Sequence, residues 1–207
     1  MSPKIRVNSS EWFYEGCESR ITQLALALKI FDKFTNKIPL GHLFFSIDGK
    51  TVTLSQNLSG YYLILDIDSL NGNGVLTIES DFYMKHQQSL QIPDLTTEPL
   101  MMNPVVPISL NPNPQYPFPS HATLVRGSVK DGAYVADADV KVRDRVNSSH
   151  WAETTRTDSK GEFVLFFKNI QDPGETISIR VSEGGREEEK GETIFPRKTT
   201  VMHFFLH

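Results

Sequence analysis

The sequence has few of the features that mark secreted or membrane-spanning proteins. It contains one cysteine, Cys17, so no disulfide can form within the chain, and stability must come from packing and sheet hydrogen bonds. No stretch approaches the ~18 apolar residues of a membrane-spanning helix. The N-terminal residues also lack an apolar segment followed by a cleavage site. We therefore expect no membrane span, and a protein made and kept in the cytosol (cytoplasmic) unless another machine exports it in a particle-borne assembly.

The charge balance gives no electrostatic reason to expect nucleic acid as a partner. Lysine and arginine number 21 against 25 aspartates and glutamates, for a formal net charge of -4. Nucleic-acid binding needs a basic surface that faces the phosphates, and a mildly acidic chain does not predict one. The 207 residues, 39% hydrophobic and 22% charged, are typical of a globular protein and long enough for two small domains.

Signatures of catalysis and of ligand binding are also missing. There is no Gly-x-Ser-x-Gly elbow, no phosphate-binding glycine loop and no dinucleotide fingerprint. Six scattered histidines and one cysteine do not show the spacing of the three or four convergent ligands that zinc needs. His150-Trp151-Ala152-Glu153 matches the His-x-x-Glu pair of zinc carboxypeptidases, but no distal histidine ligand accompanies it. We predict no enzyme activity, no metal and no cofactor.

What the sequence does contain is a series of short apolar strands separated by turn residues. The first strand alternates with a period of two at Leu24, Leu26, Leu28 and Ile30. This stretch also fits one face of a helix, but the strict alternation favours a half-buried strand. Asp48-Gly49 and Asp131-Gly132 are tight-turn signals, because glycine accepts a positive φ at no steric cost. We interpret the charge run SEGGREEEKGE at 182–192 as a solvated hairpin tip.

The same order of elements occurs twice. NLSGYYLIL at 57–65 and TDSKGEFVLFF at 157–167 both run from a turn into an apolar strand, and Gly60 and Gly161 lie 101 positions apart. This spacing predicts two divergent copies of one module of about 100 residues. We expect four segments: an N-terminal extension at 1–20, a first β-sandwich at 21–110, a proline-rich junction at 111–121 and a second β-sandwich at 122–207.

The segment between the copies, EPLMMNPVVPISLNPNPQYPFPSH, holds seven of the chain's twelve prolines. Proline fixes φ and removes a hydrogen-bond donor, so this segment cannot be a helix. VVPISL within it is apolar enough to be the last edge strand of the first sandwich, because an edge tolerates proline. We favour a short, rigid junction, with Tyr116 and Phe118 able to wedge between the domains.

The second half carries the residues of a known family. They are Gly127 and Val129, then Ala138 with Val140 and Val142, then Thr157, Asp158, Gly161 and Phe163. In this order they resemble the carboxypeptidase regulatory-like family, whose modules are transthyretin-like, or prealbumin-like, seven-stranded sandwiches. The resemblance covers 122–207, whereas over 23–110 only Ser59-Gly60-Tyr61-Tyr62 stands in for the turn. It implies an all-β protein of two tandem transthyretin-like or Ig-like sandwiches, acting as an accessory module without catalytic residues.

The tandem order, joined by YPFPSHATLVRG, is similar to small proteins associated with contractile, phage-tail-like injection particles. This resemblance implies a structural or adaptor component that binds protein partners in a larger assembly. A sandwich can bind another chain by adding its strand to a free edge. The candidate edges are VVPISL and the terminal TTVMHFFLH, in which Val201 and Phe204 are candidate partner-binding residues. Trp12, in the N-terminal extension, either packs on the first domain or meets a partner chain.

An alternative hypothesis is a carbohydrate- or surface-binding module. Aromatic rings on loops can serve as binding anchors and as stacking platforms. Trp151, near the tip of a hairpin, and the pair Tyr116 and Phe118 are the candidates for such contacts with a glycan, although Trp151 could equally cover the end of the sandwich.

Overall fold

The chain is all-β in every part that the structure describes. The computed structural model describes residues 7–8, 11–12, 24–65, 72–92, 105–143, 151 and 153–207. Within these ranges there is no helix, and so none long and apolar enough to span a membrane. The strands, in chain order, are β1 (Val7–Asn8), β2 (Glu11–Trp12), β3 (Leu24–Asp32), β4 (Phe44–Ile47), β5 (Lys50–Val52), β6 (Ser55–Gln56), β7 (Tyr62–Leu65), β8 (Gly72–Glu79), β9 (His86–Ile92), β10 (Val105–Leu110), β11 (Thr123–Asp131), β12 (Ala133–Tyr134), β13 (Asp139–Arg143), β14 (Glu153–Arg156), β15 (Glu162–Phe167), β16 (Glu175–Glu183), β17 (Arg186–Ile194) and β18 (Thr199–Phe205).

Four four-stranded sheets make two sandwiches with closely matching strand orders. The first sandwich has the orders β10-β3-β7-β6 and β5-β4-β8-β9. In the second sandwich β11 pairs with β12, β15 and β18, and the other sheet has the order β14-β13-β16-β17. The nine-residue strands β3 and β11 hold equivalent places, and the last strand of each copy, β10 or β18, pairs with them. The prediction of two tandem β-sandwiches is confirmed.

The chain divides into two compact units by its internal contacts. Unit 1 comprises Met1–Ile30, Phe45–Leu76 and Gln88–Ile108. Unit 2 comprises Phe31–Phe44, Thr77–Gln87 and Ser109–His207, and therefore contains the whole second sandwich. The segment boundaries expected from the sequence stay a prediction.

Strand β3, the first strand predicted from the sequence, is more deeply buried than its alternation predicts. Ala25, Leu26, Ala27 and Leu28 are all buried, whereas Leu24 is 42% exposed. The register against β7 shifts between Leu24 and Leu26, and a β-bulge of this kind interrupts the two-residue period. The strand assignment is therefore confirmed, but the half-buried pattern is wrong over these residues.

Three residues of the sequence motif, Gly127, Thr157 and Phe163, are buried in the second sandwich. Gly127 lies opposite Phe163 in the β11–β15 register, and a Cβ on this glycine would lie 2.3 Å from the phenylalanine ring. Thr157 is buried, and its hydroxyl donates to the Val135 carbonyl at 2.7 Å while accepting the Ala138 N–H at 2.8 Å. These residues fill space or satisfy buried backbone groups, which is a packing role.

A turn built around one carboxylate oxygen leads into β15. Asp158 Oδ1 accepts the N–H groups of Lys160 and Glu162, at 2.8 and 2.9 Å. Gly161 has a φ of +70° and donates its N–H to the Asp158 carbonyl at 3.0 Å. An Asx turn of this type needs a short polar side chain at its first position and glycine where φ is positive.

The turn at residues 57–61, which leads into β7, has the same construction. Asn57 Oδ1 accepts the N–H groups of Ser59 and Tyr61 at 3.0 and 2.9 Å. Gly60 has a φ of +81° and donates its N–H to the Asn57 carbonyl at 2.9 Å. The turn therefore occurs twice with equivalent hydrogen bonds, at the 101-residue spacing seen in the sequence.

The charge run at 182–192 is a strand for most of its length, which corrects the prediction of a hairpin tip. Gly184 and Gly185, with φ of +58° and +83°, make the turn, and β17 pairs with β16 along all nine of its residues. Glu189 lies directly opposite Arg180 and accepts its Nη2 hydrogen bond at 2.9 Å. Opposite charges across an antiparallel pair stabilise a strand that has no apolar alternation.

Candidate partner-binding site

The terminal strand β18 is an edge of the second sandwich. It pairs in parallel with β11. At the start of the pairing the Leu124 N–H donates to the Lys198 carbonyl at 3.0 Å, and at its end the Leu206 N–H donates to the Lys130 carbonyl at 2.9 Å. Because the N–H and C=O of one strand residue point to the same side, even-numbered residues of β18 bond β11 and odd-numbered residues face away. Across the described ranges, no strand pairs on that second side.

Two side chains of β17 cover the far end of this edge. Lys190 Nζ donates to the carbonyl of His203 at 2.5 Å, and the N–H of Phe205 donates to Glu188 Oε2 at 2.5 Å. Lys190 and Glu188 also form an ion pair at 3.0 Å. We call these two side chains the edge clamp. Charged side chains that satisfy edge groups are a common protection against unwanted strand pairing.

The other end of the edge, residues 199–201, is open. Val201 is 63% exposed, with Arg126 as its register partner on β11. Within the part of the chain that the structure describes, no group bonds the outward N–H and C=O of Thr199 or Val201. These outward donors and acceptors are the groups that an added strand would bond.

The two residues predicted on this strand have different environments. Val201 has its side chain exposed and its backbone groups directed to the open edge. Phe204 is fully buried, with its ring centroid 6.0 Å from that of Phe163 in the core. The position of Phe204 corrects its candidacy as a contact residue, because an even-numbered side chain of β18 points inward and has no surface to offer.

Tyr116 is a structural residue of unit 2. It is 3% exposed, and its hydroxyl donates to Asp32 Oδ2 at 2.5 Å, where the Tyr83 hydroxyl also donates at 2.9 Å. The other oxygen, Asp32 Oδ1, accepts the N–H groups of Phe34 and Thr35 at 2.6 and 3.1 Å. Four donors thus satisfy one buried carboxylate, which otherwise would be costly to bury. This burial corrects the hypothesis that the Tyr116 ring is a stacking platform.

Phe118 packs in an aromatic cluster in the same unit. Its ring centroid lies 5.0 Å from that of Phe34 and 4.6 Å from that of Tyr116. The Arg126 guanidinium lies 5.9 Å from the Phe118 centroid and donates to the Pro114 carbonyl at 2.6 Å. Phe118 therefore contributes to the packing of the junction residues, and only part of its surface is exposed.

Trp151 is partly buried and is flanked by two cations. The guanidinium carbons of Arg143 and Arg180 lie 4.8 and 4.7 Å from its ring. Both arginines also donate to the carboxylate of Glu189. A sugar that stacked on this ring would compete with cation–π contacts already made. The Trp12 side chain, like His150, lies outside the described residues, although the Trp12 backbone belongs to β2.

The second predicted edge is also present. VVPISL forms β10, which lies at the end of the order β10-β3-β7-β6 and carries the exposed Pro107. The prediction of an edge strand here is confirmed. No sequence pattern indicates the edge clamp, because Glu188 and Lys190 reach β18 from a strand of the opposite sheet.

Metal-ligating side chains do not converge in the described ranges. There, no group of three or more histidine, cysteine, aspartate or glutamate side chains is placed to hold an ion.

Comparisons with known proteins find distant likenesses among solved structures. No family model matches the sequence, and no curated protein matches it. The chain is similar at 10% identity to the TIE protein of Bacillus anthracis, with a TM-score of 0.32, over 86% of this chain and 32% of that one. It is similar to the shaft pilin SpaA of Lactobacillus rhamnosus GG at 10% identity, with a TM-score of 0.30, over 89% of this chain and 97% of that one. A C-terminal fragment of the pilus adhesin SpaC of that organism, at 10% identity, gives 0.29 over 89% and 97%. Likenesses this distant carry no argument about function.

Proposed function

We propose that this chain is a non-enzymatic structural or adaptor protein that binds other protein chains of a larger assembly through the edge of β18. The observation that carries the proposal is the open stretch at 199–201, where backbone donors and acceptors lie next to the exposed Val201 side chain. Main-chain hydrogen bonds to an added strand supply affinity, and neighbouring side chains supply specificity.

The chain is also proposed as a member of the carboxypeptidase regulatory-like family. Support comes from the motif residues, each of which has a packing or turn role. Gly127 makes room for Phe163, Thr157 satisfies two buried backbone groups, and Asp158 with Gly161 forms the turn before β15. A motif of this kind specifies a scaffold, and it agrees with a protein that has no catalytic task.

The assembly we propose is a contractile, phage-tail-like injection particle. Support comes from the tandem order and from YPFPSHATLVRG, in which Tyr116 and Phe118 fix the junction residues by the contacts with Asp32 and Phe34. The protein would be made in the cytosol and incorporated there into the particle.

Replacement of Val201 by proline tests the proposed edge. The Val201 N–H faces outward, so Val201→Pro removes a donor from the edge without removing a hydrogen bond to β11. In pull-downs of the tagged protein from its native host, we expect wild type to carry companions in a fixed ratio and Val201→Pro to lose them. Val201→Thr, which keeps the N–H and the β-branched shape, is the matched control and should retain them. Normal recovery of the companions with Val201→Pro would reject β18 as the binding edge.

A further inference from the structure

We propose that the strand which pairs with β18 is β18 of a second copy of this chain, antiparallel and related by a two-fold axis at Val201. The inference rests on the proposed function, because it names the partner for the same open edge.

The geometry of β18 suits a symmetric pair. In an antiparallel arrangement centred on Val201, the two Val201 residues lie opposite each other, and each Thr199 lies opposite the second copy's His203. All three are odd-numbered residues, whose N–H and C=O groups face away from β11. Directly opposite residues with outward groups exchange both of their hydrogen bonds. The His203 carbonyl can accept from Thr199 of the second copy while it holds Lys190, because a carbonyl oxygen has two lone pairs.

The edge clamp and the backbone disfavour two of the other registers. Pairing centred on His203 would bring two clamps together and place two histidines opposite each other. Pairing centred on Thr199 would place Val201 opposite Arg197, whose φ of +60° is not that of a strand. Centring on Val201 avoids both conflicts and keeps three opposed pairs of outward-facing residues, Thr199 with His203, Val201 with Val201, and His203 with Thr199.

Charge and shape along the edge are complementary to their own reversed copy. The start of β18 follows two exposed cations, Arg197 and Lys198, whereas its end lies beside the carboxylate of Glu188. Antiparallel pairing places Arg197 of each copy opposite Phe205 of the other, beside the Glu188 carboxylate that Lys190 also pairs, and symmetry makes this contact twice. At the centre two exposed valines meet, and β-branched pairs across strands are favourable.

Site-specific disulfide cross-linking tests the register directly. In a Cys17→Ser background, Val201→Cys would place two thiols on opposite residues whose Cα atoms are about 5.5 Å apart, within the span of a disulfide. Thr199→Cys is the matched control, because the two copies of this position would lie about 14 Å apart at strand rise. We expect the Val201→Cys protein to run as a covalent dimer on non-reducing gels under mild oxidation and the Thr199→Cys protein to stay monomeric.

Sedimentation of the purified full chain supplies an independent measurement. We expect a monomer–dimer equilibrium that shifts with concentration and that is lost in Val201→Pro but kept in Val201→Thr. A monomer at every concentration, or equal cross-linking through Thr199→Cys, would overturn the proposed pair. The two proposals fail separately: a monomeric protein whose Val201→Pro variant still loses its host companions would leave β18 as the binding edge, with a different protein on it.

Discussion

In the core of the second sandwich, the Phe163 ring packs directly against the backbone of Gly127. The phenylalanine ring occupies the space where a side chain on residue 127 would begin, and Phe163 itself is 1% exposed. At this position the backbone conformation does not require glycine, so the requirement comes from packing alone. The sequence motif that suggested a family thus has a specific steric cause.

Gly127→Ala should destabilise the protein for this reason. The new Cβ would lie 2.3 Å from the Phe163 ring and 3.0 Å from the Met202 carbonyl oxygen, so the ring must move. Overpacking of a core typically costs about 1–3 kcal/mol in free energy of unfolding, which urea denaturation measures. Gly191→Ala is the control, because its Cβ would meet only the Ile177 carbonyl at 3.8 Å, and we expect a change within ~1 kcal/mol. Equal midpoints for the two variants would contradict this explanation.

Val201 and Phe204 show what the sequence could and could not predict at the residue scale. A strand at TTVMHFFLH was predicted from its apolar content and is confirmed as β18. The direction of each side chain could not be predicted, because a shift of the register by one residue moves every side chain of a strand to the opposite face of the sheet. In MHFF, apolar residues occupy both odd-numbered and even-numbered positions, so the sequence does not show which face is inward. Only the pairing with β11 decides that Met202 and Phe204 point into the core.

At the scale of elements, the two Asx turns make the clearest link from sequence to structure. Glycine at a turn followed by an apolar run predicted both β7 and β15, and each is preceded by a positive-φ glycine and a side-chain acceptor. The information is local, within about five residues, and so is available from the sequence.

Aspartate at position 57 and asparagine at position 158 should therefore support the same turns as the native residues. Asn57→Asp and Asp158→Asn keep an oxygen acceptor for the two N–H groups of each turn, and we expect stability close to wild type in thermal melts. Asn57→Ala and Asp158→Ala leave those groups without the acceptor and should each cost about 1 kcal/mol. Alanine variants as stable as the exchanged ones would show that the acceptor is unimportant.

The strand β17 and the edge clamp illustrate elements that sequence patterns miss. The run Glu187-Glu188-Glu189-Lys190 has no apolar alternation, and its strand form depends on charges of β16 placed opposite by the hairpin. The clamp depends on β17 lying beside β18 across two sheets, a relation between residues 13 to 17 positions apart that no spacing rule identifies. Both are long-range consequences of the fold.

At the scale of the whole molecule, three tyrosines that are buried or partly buried make the free energy of unfolding fall at alkaline pH. Burial is the main cause that raises the pKa of Tyr62, Tyr83 and Tyr116 above the ordinary value of 10.0. Hydrogen bonding to Asp32 adds to the rise of the pKa for the latter two. Above pH 10 the unfolded chain has lost protons that the folded chain keeps, so the free energy of unfolding falls as pH rises. Below pH 10 this contribution is fully present.

Denaturation midpoints measured between about pH 8 and pH 12 test the effect, since that interval brackets the titration of a free phenol. We expect a steep alkaline decline for wild type and a shallower slope for Tyr116→Phe, which removes one of the buried phenols. Tyr134→Phe is the control, because Tyr134 is 58% exposed and its loss should leave the slope unchanged. Identical slopes for the two variants would exclude Tyr116 as a source of the decline.

Pro107 sets a limit on stoichiometry. It lies in β10, the strand of the first sandwich equivalent to β18, and a proline in an edge strand interrupts the row of outward donors. Pairing of two β18 edges consumes both partners' open stretches, and β10 does not offer an equivalent uninterrupted one. Growth of a fibre needs two unlike surfaces on every subunit, whereas a self-complementary surface closes after a single step. Copies joined in this way would therefore enter an assembly two at a time, and their number in the particle would be even.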